Sequence, residues 1–242
     1  MSAASPLRIA VVRKNNLPIA PIHKAIRTAG FAADQKKPDF VLAIGGDGTL
    51  LKAERAYSGV PKVMVRESLV CHNCEDTLLA GALDRLKNKR FRIMKLTKLT
   101  LSCRVRGKTV TKHCINEFSL RNKLMTRALR FTVKVNGKRV KDHDSEVIIG
   151  DGAVIATPFG STGYFFSIAQ KGFTKGIGIC FNNTRSKIMP IFCKENSTIE
   201  ITLVRHDAQV CADNDPAVLT IKEGETIRIK KSNEPSRIVR FG

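Results

Sequence analysis

The chain has 242 residues, 43% of them hydrophobic, and a formal net charge of +21. This length and composition predict one large domain or two small ones with a substantial core. No apolar run approaches the about 20 residues that cross a bilayer, and the N-terminus shows no secretory signal, so we expect a cytoplasmic protein with no membrane partner. The basic excess favours polyanionic partners, but no nucleic-acid recognition motif accompanies it, which makes nucleic acid an unlikely partner.

The first ninety residues alternate strand-like and helix-like patterns, which is typical of a parallel α/β domain. The apolar segment 7–12 predicts a strand, and the helical spacing of 19–29, closed by Gly30, predicts a helix. The remaining elements predicted here are strands at 40–44 and 60–65 and helices at 50–56 and 75–87. We therefore expect an α/β domain over residues 1–90.

From residue 91 onward the pattern is strand after strand. Asn136-Gly137 is a strong signal for a tight hairpin. The predicted strands cover 91–105, 109–120, 130–135, the segment from 139 onward, 177–181, 198–203, 209–212, 218–221 and 226–229. These predict a mainly-β domain over residues 91–230. The end of the chain, 231–242, is too apolar for a free tail and is expected to return to the α/β domain.

Seven cysteines are scattered through the chain. Their odd number predicts reduced thiols rather than a disulfide framework. Cys71 and Cys74 have the spacing of a zinc half-site, but no second Cys-x-x-Cys follows. We therefore expect no metal ligand set made by the protein alone.

A glycine-rich turn, GGDGT at residues 45–49, joins the strand at 40–44 to the following helix. Glycine allows unusual backbone angles and close approach of a ligand, and a helix start attracts phosphate. The carboxylate of Asp47 would repel phosphates unless it holds a metal or accepts a proton, so the turn favours phosphoryl transfer over passive binding. The alternative is a strand–helix turn with Asp47 as a simple cap.

Two further stretches carry polar groups in apolar surroundings. Asn116 and Glu117 are adjacent in a predicted strand, where neighbours face opposite ways, so at least one should be buried and need a partner. Residues 149–164, IGDGAVIATPFGSTGY, combine an acidic glycine turn, an apolar strand and a loop of glycines and hydroxyls. The ring of Tyr164 follows and is able to stack on a base.

These three stretches, in this order, resemble NAD kinases of the archaeal type that uses inorganic polyphosphate or ATP. The resemblance implies the fold shared by NAD kinases and diacylglycerol kinases, with an α/β domain, a β domain, NAD between them and the last residues returning to the first domain. It implies phosphorylation of the 2′-hydroxyl of the adenosine ribose of NAD to give NADP. It also implies Mg²⁺ or another divalent metal and a homo-oligomer, either a dimer or a tetramer.

The resemblance also assigns roles to residues. Asp47 would be the base toward the 2′-hydroxyl. The residues implied to shape the phosphate site are Gly45, Gly46, Gly48 and Thr49. Asn116 and Glu117 would form hydrogen bonds with NAD, and Asp151 would contact NAD across a subunit interface. The adenine pocket would be lined by Thr162, Gly163 and Tyr164, with Ser167 near it.

Three departures from the family pattern keep alternatives open. The family has a GINTGxLGF loop where this chain reads MVRESLVC at 64–71, and a histidine where it reads CFNNTR at 180–185. A late Asp-Gly is here Asp213-Asn214. One alternative is a diacylglycerol-type lipid kinase, which shares the GGDGT turn, and the other is a non-catalytic binder of dinucleotides or polyanions.

Overall fold

The computed structural model describes residues 5–67, 78–105, 107–142 and 145–242. Two compact units share the chain: the first extends to Leu96 and includes Pro235–Gly242, and the second comprises Thr97–Glu234. The helices and strands, in chain order, are β1 (Arg8–Arg13), α1 (Ile19–Thr28), β2 (Ala32–Ala33), β3 (Phe40–Gly45), α2 (Asp47–Ala56), β4 (Lys62–Arg66), α3 (Leu79–Lys87), β5 (Arg92–Leu96), β6 (Leu99–Val105), β7 (Lys108–Cys114), β8 (Glu117–Asn122), β9 (Leu129–Val135), β10 (Lys138–Arg139), β11 (Ile148–Gly150), β12 (Gly152–Ala156), α4 (Tyr164–Ala169), β13 (Ile177–Asn182), β14 (Ile191–Cys193), β15 (Ile199–Arg205), β16 (Ala208–Ala212), β17 (Leu219–Ile221), β18 (Thr226–Lys231) and β19 (Ser236–Arg240).

The first unit is a six-stranded sheet in the order β2-β1-β3-β4-β19-β5. The strands β1 to β4 and β19 run parallel, and β5 pairs antiparallel with β19. The central strands are buried almost throughout, as continuous apolar sequences predict for a sheet with both faces covered. Helices α1 and α3 pack on one face, where Ile22, Ile26 and Leu83 meet Val11 and Leu42.

Helix α2 contacts β1, β3 and β4, and it holds a buried polar cluster in the first unit. Lys62 of β4 is fully buried and donates to Glu54 of α2, which is 3% exposed. Ser236 of β19, also fully buried, donates to the same Glu54 carboxylate at 2.6 Å. The last strand of the chain is therefore tied to α2 by hydrogen bonding as well as by its place in the sheet.

The second unit is a sandwich of two antiparallel sheets. One has the order β10-β9-β15-β18-β6-β7 with β11 beside β9, and the other has the order β14-β13-β12-β8-β16-β17. Alternate residues of both sheets form one apolar core, as the period of two along each strand requires. Helix α4 covers the other face of β12 and β13 through Phe165, which packs on Val154 and Cys180.

The predicted fold class, an α/β domain followed by a mainly-β domain, is confirmed. The Asn136-Gly137 hairpin is also present, with φ of 50° and 80° at its two central residues. The predicted strands 91–105 and 109–120 are each wrong as single runs, because the first breaks between β5 and β6 and the second between β7 and β8. Strand β5 belongs to the sheet of the first unit, although it follows the predicted boundary at residue 90.

The start of the helix predicted at 75–87 lies outside the described residues, as do Cys71, Cys74 and part of the 64–71 loop. Within the described part of the chain, none of the helices has the length and apolar character to cross a membrane.

Candidate active site

The glycine turn lies at the carboxyl end of β3. Gly46 caps α2 in an extended conformation, and its carbonyl accepts hydrogen bonds from the amides of Thr49 at 2.8 Å and Leu50 at 3.3 Å. A Cβ on Gly45 would collide with Thr49 Oγ1, so glycine is required there to let the helix start fold back onto the strand. Asp47 is half-buried in the first turn of α2, at the positive end of the helix dipole.

Basic side chains gather at the same edge of this sheet. Gly45 lies beside Arg66 in the register of β3 and β4, and Arg13 ends β1 on the other side of β3. Lys14 donates from Nζ to the Glu67 carbonyl at 3.2 Å, and its Cγ lies 3.4 Å from the position of a Cβ on Gly45. Sequence reasoning missed Lys14, because one lysine among 42 basic residues carries no local signal.

In the second unit, Asn116 and Glu117 stand where β7 gives way to β8. Asn116 Oδ1 and Glu117 Oε2 are buried and accept no hydrogen bond from any described residue. An unpaired buried acceptor costs free energy unless a ligand or water supplies a donor. These two oxygens are therefore placed to accept hydrogen bonds from hydroxyl groups of a bound molecule.

Asp213, at the end of β16, holds the bend that carries this pair. Its Oδ1 accepts from the amides of Asn116 at 2.8 Å and Glu117 at 3.3 Å, and its Oδ2 accepts from the amide of Ile115 at 3.0 Å. Its own amide donates to the Glu117 carbonyl at 3.0 Å. Asp213 has φ of 51°, a conformation that Asp and Asn tolerate better than most residues.

The loop after β12 packs directly on the same bend. Thr157 donates from Oγ1 to the Ile115 carbonyl at 2.5 Å, and its amide donates to the Asn116 carbonyl at 2.8 Å. Gly160 lies so close to the Asn116 backbone that a Cβ there would collide with it. Gly163 is more open, since a Cβ would meet Glu117 Oε2 at 4.0 Å.

The remaining loop residues face outward. Thr162, Gly163 and Ser167 are exposed, and Tyr164 is half-buried at the start of α4. The Tyr164 hydroxyl accepts from Arg121 Nη1 at 2.5 Å, which fixes one end of the ring. Ser167 donates to the Tyr164 carbonyl at 2.7 Å. The predicted adenine-pocket residues therefore share one short segment, in which Gly163 lies near Glu117.

Asp151 is not part of this cluster. Gly152, its neighbour, pairs with Arg121, whereas Glu117 pairs with Ala156 at the other end of β12, about 13 Å away at the rise of a strand. The Asp151 carboxylate accepts from Asn122 at 3.3 Å and from Asn183 at 2.9 Å. Asn183 belongs to the stretch 180–185, where the family pattern has a histidine. In this chain that stretch therefore supplies a hydrogen-bond donor to Asp151.

The electrostatics of the bend centre on Glu117. Burial raises the pKa of Glu117 to about 7, and the negative charge of Asp213 adds to the effect. The carboxyl group therefore changes between a proton donor and a pure acceptor near neutral pH. Burial also raises the pKa of the neighbouring thiols of Cys114 and Cys180, to about 12 for Cys180, so they stay neutral there.

A metal ion has no ready-made cage in the described ranges, where no group of three or more His, Cys, Asp or Glu side chains is arranged to hold one. Mg²⁺ does not need such a cage, because it keeps several waters and binds through one or two carboxylates and substrate phosphates. The single carboxylate of Asp47 at the glycine turn fits that mode.

Comparison with known proteins identifies the family of this chain. A family model described as the ATP-NAD kinase C-terminal domain matches residues 115–241, which is more than half of the chain. The chain belongs to the ATP-NAD kinase family. The resemblance drawn from the three sequence stretches is thereby confirmed.

Individual relatives agree with this assignment. An NAD kinase of Thermoplasma acidophilum is 25% identical over 90% of this chain and 79% of its own length. One of Clostridium perfringens is 26% identical over 84% and 75%. Among solved structures, yeast NADH kinase complexed with NADH has a TM-score of 0.85 at 13% identity, covering 99% of this chain and 84% of that one. An NAD kinase from Archaeoglobus fulgidus in complex with ATP has a TM-score of 0.76 at 20% identity, covering 97% and 94%.

Proposed function

We propose that the chain is an NAD kinase that transfers a phosphoryl group to the 2′-hydroxyl of the adenosine ribose of NAD and gives NADP. The observation that carries this proposal is a pair of neighbouring buried acceptors, Asn116 Oδ1 and Glu117 Oε2, that have no partner in the described part of the chain. They lie beside a glycine-lined loop in a member of the ATP-NAD kinase family. Ribose hydroxyls supply the donors that these oxygens lack. The lipid-kinase and non-catalytic alternatives are not favoured by the comparisons.

In the second unit, Asn116 and Glu117 would bind the dinucleotide, and Thr162, Gly163 and Tyr164 would line the adenine pocket with Ser167 near it. The half-buried Tyr164 ring would stack on the base, and the hydrogen bond from Arg121 to its hydroxyl would hold the ring in orientation. Asp151 would meet NAD in a homo-oligomer, as the family resemblance implies, since it lies away from Glu117 within one chain.

In the first unit, the turn made by Gly45, Gly46, Gly48 and Thr49 would bind phosphate oxygens at the positive end of α2. Asp47 would accept the proton of the 2′-hydroxyl and orient its oxygen for in-line attack, a role worth about 10²–10⁴-fold in rate. Lys14 and Arg66, at the same sheet edge, would offset the charge of the donor phosphates. Mg²⁺ bound with the donor would neutralise the phosphoryl group during transfer.

A coupled assay for NADP tests the proposal. The purified protein is incubated with NAD, Mg²⁺ and either ATP or polyphosphate, with Asp47→Asn as the control. We expect NADP from the wild-type protein and a loss of about 10²–10⁴-fold in the variant, with NAD binding retained. Comparison of the two donors identifies the one used. Measurable NAD binding without NADP from either donor would overturn the kinase assignment, and turnover of diacylglycerol vesicles instead would support a lipid kinase.

A further inference from the structure

The bend at residues 115–117 lies between two strands and carries Asn116 Oδ1 and Glu117 Oε2, which find no hydrogen-bond partner among the described residues. Strand β7 ends at Cys114 and β8 begins at Glu117, so the ladder of either strand does not by itself fix the backbone between them. The three successive amides of the bend all donate to one carboxylate, Asp213, from a residue about a hundred positions later. Such charge-assisted hydrogen bonds are roughly twice as strong as neutral ones.

We propose that Asp213 is a positioning residue of the dinucleotide site, whose carboxylate fixes the 115–117 bend and thereby aims Asn116 and Glu117 at the ribose hydroxyls. This rests on the proposed NAD kinase function. Asp213 itself acts through the backbone and not by contact with the substrate. Its amide closes the arrangement by donating to the Glu117 carbonyl at 3.0 Å, so the two segments hold each other from both sides.

The position also gives Asp213 an electrostatic effect on the pair. The titratable groups that interact with Glu117 are Asp213 at the end of β16 and the thiols of Cys114 on β7, Cys180 on β13 and Cys211 on β16. Burial raises the pKa of all three thiols, so they carry no charge at neutral pH. Among the described residues, Asp213 is therefore the charged neighbour that opposes ionisation of Glu117. Removing its charge should let Glu117 ionise at lower pH.

The chain offers a matched control two residues away. Asp215 is as buried as Glu117, at 9% exposed, and lies in the same loop. Its carboxylate binds Lys112 Nζ at 3.0 Å and the amide of Ala217 at 3.1 Å, which are both outside the bend. Asp215→Asn thus removes a buried carboxylate from the same loop and keeps the Asp213 carboxylate that accepts from the amides of residues 115–117.

The test compares Asp213→Asn, Asp213→Glu and Asp215→Asn. We expect Asp213→Asn to raise the KM for NAD about tenfold, the effect of losing a hydrogen bond to a charged group, with the KM for ATP and kcat changed less than about threefold. The pH at which NAD affinity reaches half its maximum should fall below that of the wild-type protein. Asp213→Glu keeps the negative charge on a side chain that is one methylene longer. It should therefore show the pH profile of the wild-type protein but not its KM for NAD. Asp215→Asn should leave both unchanged.

A second readout needs no turnover. In ¹⁵N-labelled protein, the amide protons of Ile115 and Asn116 should shift in Asp213→Asn and stay in place in Asp215→Asn. A KM for NAD equal to that of the wild-type protein, together with unshifted amide protons of Ile115 and Asn116 in Asp213→Asn, would overturn the positioning role. If the wild-type protein makes no NADP, the kinase assignment fails, and the amide shifts together with calorimetric NAD binding still decide the role of Asp213.

Discussion

The glycine turn of the first unit takes its shape from five consecutive residues, whereas the bend at Asn116 in the second unit is held by a side chain 97 positions away. In the turn, one absent side chain at Gly45 makes room for Thr49 and the helix begins at once. In the bend, two acceptors are buried, and one of them belongs to Glu117, whose pKa is raised. The turn forms from residues that are adjacent in sequence. The bend instead requires the end of β7, the start of β8 and the end of β16 to lie close together.

This contrast also holds for the buried polar groups of the two units. Glu54 in the first unit is satisfied by Lys62 and Ser236. Glu117 in the second unit has an oxygen that no described residue binds. A buried carboxylate that is already paired serves the fold, and one that is left unpaired is available for a ligand. The two carboxylates should therefore respond differently to substitution.

The largest effect should come from the paired carboxylate. Lys62→Met leaves Glu54 buried and charged without its cation, so the free energy of unfolding should fall by about 3–5 kcal/mol. The double variant Glu54→Gln with Lys62→Met should recover most of this loss, because no isolated charge remains. Urea denaturation of the wild-type protein, the single variant and the double variant measures these differences in the free energy of unfolding. If the double variant were as unstable as the single one, the cluster would not act as an ion pair.

The next effect should come from Glu117 and depend on pH. Its pKa is raised in the folded protein, from 4.5 to about 7, so the folded state holds a proton that the unfolded state releases. The contribution of Glu117 to stability should therefore be fully present below about pH 4.5 and be lost as pH rises to about 7, by about 3 kcal/mol in total. Glu117→Gln should remove this slope. Parallel stability curves for the two proteins between pH 5 and 8 would contradict the raised pKa.

The same group predicts a pH dependence of NAD binding with the opposite sign. An ionised Glu117 accepts hydrogen bonds from ribose hydroxyls with both oxygens, whereas the protonated acid loses part of that capacity. The affinity for NAD should therefore rise as pH increases through about 7. Isothermal titration calorimetry at pH 6 and pH 8 measures this difference, and Glu117→Gln should show none.

A smaller effect should separate two glycines of the loop that supports the bend. In Gly160→Ala the new methyl group meets the Asn116 backbone, which cannot rotate away, so overpacking should cost about 1–3 kcal/mol and weaken NAD binding. Gly163→Ala meets the Gly160 carbonyl at 3.4 Å, an ordinary contact, and should not cause a comparable loss of stability. Thermal unfolding and NAD titration of both variants give the comparison. Equal effects of the two changes would mean that close packing on Asn116 is not what the loop requires.

These differences explain how far the sequence could predict the site. The GGDGT turn was recognisable because its strand, glycines and helix are contiguous. Asn116 and Glu117 were recognisable because polar residues stand out in an apolar strand. Asp213 could be noted from sequence only as a departure from a family pattern, since nothing local shows that its carboxylate reaches residues 115–117. The break between β7 and β8 was missed for the same reason, because the partner that holds it is distant in sequence.

The smallest predicted effect concerns Tyr164, where the ring and the hydroxyl have different tasks. The hydroxyl accepts from Arg121 at 2.5 Å, within the second unit, and the half-buried ring is the part proposed to stack on adenine. Tyr164→Phe keeps the ring and loses one partly exposed hydrogen bond, so the KM for NAD should change by a factor of about five or less. Tyr164→Ala removes the stacking surface and should raise the KM more, while the KM for ATP stays constant in both. A phenylalanine variant as impaired as the alanine variant would show that the hydroxyl, and with it the orientation imposed by Arg121, matters more for NAD than the ring.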